Sequence, residues 1–164
     1  MAETSELLQS FRFLVTLTRS NPGAGPSTLG DGGFSECSGL ELETDVKEYL
    51  EGGRNDGVVR RVGRVKLSPL VLKRGMFLPA KSTSTDATLW NWLTGMVQGV
   101  LPVPRFDGEV EIHDATGKRV LARWTFDRAL PSKVSGPTLN ARTGEVAIEE
   151  LHLLHEGLRL GDRT

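Results

Sequence analysis

The stretch EVEIHDATGKRVLARWTF, residues 109–126, limits the possible folds more than any other part of the chain. Val110 and Ile112 alternate with Glu109, Glu111 and His113; beyond a short DATGK turn, Val120, Ala122, Trp124 and Phe126 alternate with Arg119, Arg123 and Thr125. A period of two on both sides of a glycine-containing turn is the pattern of a β-hairpin. Acidic residues of the first strand can face basic residues of the second, each such pair contributing a few tenths to about 1 kcal/mol. A hairpin with an apolar face needs a second layer, so the remaining segments must supply one.

Several of them carry the same period. In FRFLVTLT, residues 11–18, Phe11, Phe13, Val15 and Leu17 share one side, which reads as a half-buried strand. Leu40, Leu42, Thr44 and Val46 alternate with Glu41, Glu43, Asp45 and Lys47, a second strand with an acidic outer face. The alternation breaks at Glu48, and residues 48–64, rich in glycine and charge, read as an extended excursion projecting from the body without a regular element of its own. VKLSPLVLKR, residues 65–74, reads as one further strand with Pro69 at an edge or bulge. SNPGAGPSTLGDGG and LPSKVSGPTLNARTG read as loops.

One segment has the other period. In STSTDATLWNWLTGMVQGV, Leu89, Trp92, Leu93, Met96, Val97 and Val100 recur at helical spacing behind a polar start that can cap a helix over about 86–98. Gly95 and Gly99 each weaken it by about 1 kcal/mol relative to Ala, so packing on a sheet must hold it. The last segment, EVAIEELHLLHEGLRL, is open between the two: Ala147, Leu151, Leu154 and Leu158 fit a helix face, while Val146 and Ile148 begin as a strand.

At 164 residues the chain is read as a single domain, 1–164, able to bury roughly 70% of its unfolded surface. Its net charge of −1 argues against a general binder of nucleic acid or membrane surfaces, both polyanionic. The single cysteine, Cys37, fits synthesis in a reducing compartment, and MAETSELLQS lacks the basic and apolar regions of a secretory signal. No apolar run reaches the roughly 18 residues of a spanning helix, so no membrane anchor is expected.

Residues that could carry chemistry are few. His152 and His155 in HLLHE would share a helix face with Glu149 or Glu156 as a third metal ligand, but a strand would part them, and the order is neither H-E-x-x-H nor its inverse. His113 has no visible nucleophile beside it. GGRNDG lacks the lysine and the strand-to-helix setting of a phosphate cradle. Trp90 and Trp92 could stack a base or a sugar, yet at helical spacing Trp92 joins the core stripe. No catalytic residue, metal site or cofactor is therefore expected.

The charges are segregated along the chain. Glu36 to Glu51 holds six acidic residues and one lysine, and Arg54 to Arg74 holds seven basic residues and Asp56. The basic run lacks interleaved aromatics, and its acidic neighbour would repel phosphate. GFSECSGLELETDVKEYLEGG, VLKRG, LWNW, ARWTFDRALPSK, GPTLNA and EVAIEELHLLHEGL, in that order from about Phe11 to Leu158, resemble the tail tube (inner tube) proteins of contractile-tailed phages and phage-like contractile injection systems, a family related to Hcp of type VI secretion. The resemblance implies a mainly β protein: an antiparallel β-sandwich or barrel with one flanking α-helix and, over about 47–64, an extended inter-subunit arm. It makes the last segment a strand. The loop at 20–33 is longer than in a minimal member.

The same resemblance implies a structural, non-enzymatic subunit. It would be made in the bacterial cytoplasm and close into hexameric rings that stack inside a contractile sheath, with sheath, baseplate and terminator proteins as partners and DNA or protein cargo in the lumen. Stacking is a heterologous contact, in which two unlike patches of one chain complement each other. The expected interface residues are Glu41, Glu43, Asp45, Glu48, Tyr49 and Glu51 on one side and Arg54, Arg60, Arg61, Arg64 and Arg74 on the other. The alternative is a monomeric β module that binds nucleic acid or glycan through the basic run or the tryptophans.

Overall fold

The computed structural model describes residues 8–20, 33–53 and 57–161, so most of the 20–33 loop lies outside the described residues. At its centre β6 (Phe106–His113) and β7 (Val120–Ser135) pair antiparallel, with Val110 opposite Trp124 and Glu111 opposite Arg123. The expected acid–base pairing is present, with Arg123 Nη2 2.6 Å from Glu111 Oε1. Asp114 organises the turn: its carboxylate accepts from the Thr116 hydroxyl and, at 3.0 Å, from the Lys118 amide, while Gly117 takes a φ of 75°. The Thr116 hydroxyl, followed by the backbone amides, holds the Asp114 carboxyl below its ordinary range.

Strand β7 is longer than its sequence suggests, since LPSKVS, expected in a loop, continues it to Ser135. The reason is a change of partner. Residues up to Asp127 pair with β6 and with β9 (Gly157–Leu160), Ala129 still meets Phe106 of β6, and Leu130 to Ser135 pair with β8 (Ile148–Leu154). Between them Arg128 has a φ of 52°, and its amide donates to Asp107 Oδ1 at 2.9 Å. The register shifts again after Pro131, where a missing N–H is tolerated.

The strand order is β1-β6-β7-β8-β5-β2, with β9 also on β7 and every pairing antiparallel; β1 is Phe13–Arg19, β2 Glu36–Ser38 and β5 Leu70–Gly75. Bent at β7, the two halves enclose one core. Leu17, Phe106, Val110 and Phe126 come from one half, Leu70, Leu72, Leu151 and Leu153 from the other. The expected antiparallel β-sandwich or barrel is thus sandwich-like, and the described strands do not close into a barrel. The last segment is strand and not helix, with Leu151 and Leu153 wholly buried at the spacing of two.

Three boundaries differ from expectation. Phe11 precedes β1 and is exposed rather than sharing its buried side. Residues 65–74 are not one strand: Ser68 and Pro69 separate β4 (Val59–Leu67) from β5, and the two belong to different sheets. Gly39, at φ 84°, packs so tightly there that a Cβ would sit 2.1 Å from the Pro69 carbonyl oxygen. The helix α1 spans Thr88–Val97, and its N-cap Ala87 makes no side-chain cap; Asp86, one residue earlier, accepts from the Thr88 amide at 3.2 Å. Leu89 and Trp92 are buried, Trp92 edge-on to Phe106 with centroids 4.7 Å apart and its Nε1 donating to the Pro104 carbonyl. The end of the expected apolar stripe, Val97 and Val100, stays exposed.

Gly108 lies opposite Phe126, where an added Cβ would come within 1.9 Å of the ring. Gly108→Ala is expected to cost about 3 kcal/mol, the upper part of the usual overpacking range. Urea unfolding should show a lower midpoint with an unchanged slope.

Candidate functional site

Outside the main sheet stands a second, two-stranded one. β3 (Leu42–Tyr49) and β4 pair antiparallel from Leu42 opposite Leu67 to Tyr49 opposite Val59. The excursion expected without regular structure over 48–64 is therefore strand at both its ends, Glu48 and Tyr49 in β3 and residues 59–64 in β4, because Glu48 pairs with a partner 12 residues away. Together the two strands form an arm that packs almost only on itself. A bulge lies between Thr44 and Val46, where Gly63 and Arg64 face Asp45; a Cβ on Gly63 would meet the Asp45 carbonyl oxygen at 2.9 Å.

Pairing divides the arm into two faces, since directly opposed residues share a side. Leu42, Thr44 and Val46 lie opposite Leu67, Val65 and Val62, and Glu48 opposite Arg60 closes this face. Glu43 with Lys66, Lys47 with Arg61, and Tyr49 with Val59 make up the other. No described residue covers the apolar face: Leu42 is 60% exposed, Val46 58%, Val62 76% and Val65 61%.

Much of the segregated charge thus lies on the two strands of a single hairpin, while Glu36 and Lys73 pair with each other on β2 and β5. Arg60 Nε bonds Glu48 Oε1 at 3.0 Å, and Lys66 Nζ lies 2.9 Å from Asp45 and 4.0 Å from Glu43. The hydrogen bond and charge of Asp45, with help from Glu43, raise the Lys66 ammonium above its ordinary value. Arg61 sits over the Tyr49 ring, 5.1 Å from its centroid. Arg64 is exposed and has no ion-pair partner among the described residues. Glu41 and Glu51 flank the arm, both exposed; Arg54 lies outside the described residues.

Arg74 does not join them. It is 1% exposed inside the body, its Nε 2.5 Å from Glu149 Oε1 and its Nη2 2.8 Å from Asp86 Oδ2. Trp90 Nε1 donates to the other Glu149 oxygen at 3.0 Å, so β5, β8, the stretch before α1 and α1 itself meet at this ion pair. Burial pushes the Asp86 carboxyl up, but bonds from Thr88 and Arg74 outweigh it and leave it below its ordinary range. Sequence reasoning placed Arg74 with the surface charges because it ends the basic run. The signal it missed is the spacing of two from Leu70 and Leu72, which puts Arg74 on the inward face.

The histidines are dispersed. His152 bonds Glu150, His155 is buried against the Ser68 carbonyl at 3.1 Å, and His113 is half-buried, 3.3 Å from Glu111. Among the described residues no group of three His, Cys, Asp or Glu could hold a metal ion. Burial raises the Cys37 thiol to about 11, and Cys37 lines a groove of about 390 Å³ with Phe13, Leu40, Val110, Ile112 and Trp124.

Residues 9–159 match the model of the T4-like virus tail tube protein gp19 family. The chain belongs to the tail tube family. Tail tube proteins are structural, and the match spans the body and the arm alike. No curated protein sequence matches the chain. Its fold is that of a chain in the PVC sheath-tube complex of an extracellular contractile injection system in the extended state (TM-score 0.73, 21% identity, 94% of this chain and 91% of that one). It is shared with a chain of the anti-feeding prophage tube terminating cap (0.76, 21%, 99% and 96%) and one of the 6-fold symmetrised anti-feeding prophage baseplate (0.74, 22%, 96% and 97%). No helix among the described residues is long and apolar enough to cross a membrane.

The two charge clusters should answer differently to mutation. Arg74→Met leaves Glu149 buried without its partner and is expected to cost about 3–5 kcal/mol, whereas Arg60→Ala on the exposed arm should cost less than about 1 kcal/mol in the same urea titration. Because the folded state lowers the Asp86 pKa, its contribution is complete above the unfolded value and is lost as pH falls from there through the folded value. Acid titration of stability should show this fall, and Asp86→Asn should flatten it.

Proposed function

We propose that this tail tube protein closes into hexameric rings that stack as the inner conduit of a contractile tail or injection particle, with the arm as its inter-subunit element. The observation that carries this reading is the arm: a two-stranded sheet is marginal alone, and this one leaves an apolar face bare. The body adds unpaired margins. Among the described residues β1 is bonded only to β6, and the three-residue β2 only to β5, so neighbouring copies can extend the sheet at both ends.

The related chains come from a sheath-tube complex, a tube cap and a baseplate, which supports sheath, terminator and baseplate proteins as partners of this one. DNA or protein in the lumen is the cargo in this reading, and the subunit catalyses nothing. The contact residues are those the arm carries or flanks: Glu41, Glu43, Asp45, Glu48, Tyr49, Glu51, Arg60, Arg61 and Arg64. The monomeric binding module loses its support, since most of the basic run is engaged within the chain, Trp92 is in the core and Trp90 holds Glu149.

Electron microscopy of the concentrated protein is expected to show annular particles and stacked tubes. Replacing residues 43–66 by a short turn should leave the body folded by circular dichroism but abolish stacking. Compact single particles at every concentration would contradict the reading.

A further inference from the structure

The arm joins the body at two crossings. β2 ends at Ser38, opposite Val71 of β5, and β3 opens at Leu42, opposite Leu67 of β4, so residues 39–41 and 68–69 carry one pair of strands from the body into the arm. Because the arm packs almost only on itself, its direction is set at these crossings and not by burial against the body. His155 reaches one of them, its Nε2 lying 3.1 Å from the Ser68 carbonyl oxygen. We infer that His155 is the positioning residue of the arm, holding it at a set angle to the body before a second copy arrives; its effect on assembly rests on the tube reading.

The donor is fixed on every side. A carbonyl can only accept, so the ring carries its hydrogen on Nε2; Nδ1 has no hydrogen-bond partner among the described residues. The ring is 8% exposed and 6.2 Å from the Phe126 ring, which leaves it little room to swing. Its backbone is held as firmly. Leu154, before it, pairs with Leu130, and Glu156, after it, donates its amide to the Asp127 carbonyl at 2.9 Å, so both neighbours are tied to β7 on either side of the Arg128 bend. A donor anchored at the corner of the body thus meets the strand by which the arm returns.

The other crossing presses on the same point. Gly39, at φ 84°, leaves no space for a side chain against the carbonyl of Pro69, the residue after Ser68. The Glu41 amide turns back to the Gly39 carbonyl at 2.9 Å, and Leu40 between them packs on the core. With Ser68 held by His155 and Pro69 by Gly39, the link between β4 and β5 has few directions open to it. An arm free to swing would offer the orientation a neighbour needs for only a fraction of the time, and its apparent affinity would fall by that fraction. The second histidine of HLLHE thus acts on assembly through a backbone carbonyl.

The angle can be read by pulsed electron spin resonance in dilute protein, between nitroxides on Lys47→Cys of β3 and Lys118→Cys of the β6–β7 turn in a Cys37→Ala background. One narrow distance is expected. His155→Phe keeps a packed ring without the N–H and should widen the distribution about twofold or more, whereas His155→Gln, whose amide can reach the same carbonyl, should restore it. His155→Asn, too short to reach, should behave as His155→Phe does and takes its place if that variant does not fold. Without labels, the Phe variant should need a concentration about tenfold higher to form tubes, and the Gln variant the same concentration as the parent. A broad distribution in the parent, a narrow one in His155→Phe and His155→Asn, or a widening that His155→Gln fails to reverse would overturn the inference. So would normal assembly of a variant whose arm is loose. A wild-type chain that never assembles would overturn the tube reading and leave the joint standing.

Discussion

Strand β7 is the element that the layers of the body share. Its first half carries β6 and β9, its second half carries β8, and α1 packs across it. One continuous strand can serve two half-sheets only if it bends, and the bend is built at Arg128, whose positive φ is stabilised by Asp107 on its amide and Glu156 on its guanidinium. Phe126 and Ala129, on either side of the bend, are both wholly buried. The corner thus sets how the halves face each other, and so where the core lies.

What remains outside that core defines the protein's role. Side chains of the arm alternate as they would in a half-buried strand, yet neither face is buried within the chain. An amphipathic hairpin without a second layer is unfinished structure, and a copy of the same chain is a cover always available to a tube subunit. Part of the charge that attracts attention in the sequence, Glu48 with Arg60 and Lys66 with Asp45 and Glu43, pairs β3 with β4. The most deeply buried ion pair among the described residues, Arg74 with Glu149, lies instead beneath α1, where almost no water competes.

Much of this was legible in the residues. The central hairpin, the helix around Leu89 and Trp92, and strand β1 follow from periodicity alone, since local pattern and tertiary burial agree there. The family resemblance made the final segment a strand, which periodicity had left open. The misread strands share a cause: they depend on a partner distant in sequence. β7 was cut short at Leu130 because its second half is specified by β8, and Pro131 disguised it. β4 and β5 were merged because nothing local says they join different sheets. Arg74 was assigned to the surface by its charge, although its spacing from Leu72 places it inward.

The central claim is that the arm is completed only by another copy. Hydrogen–deuterium exchange of the same protein, dilute and assembled, tests it most directly. The account predicts that amides of β3 and β4 exchange quickly in the dilute chain and slow at least tenfold on assembly, while those of β6 and β7 change little. Arm amides already as slow as the core in isolated subunits, or unchanged in assembled tubes, would contradict it.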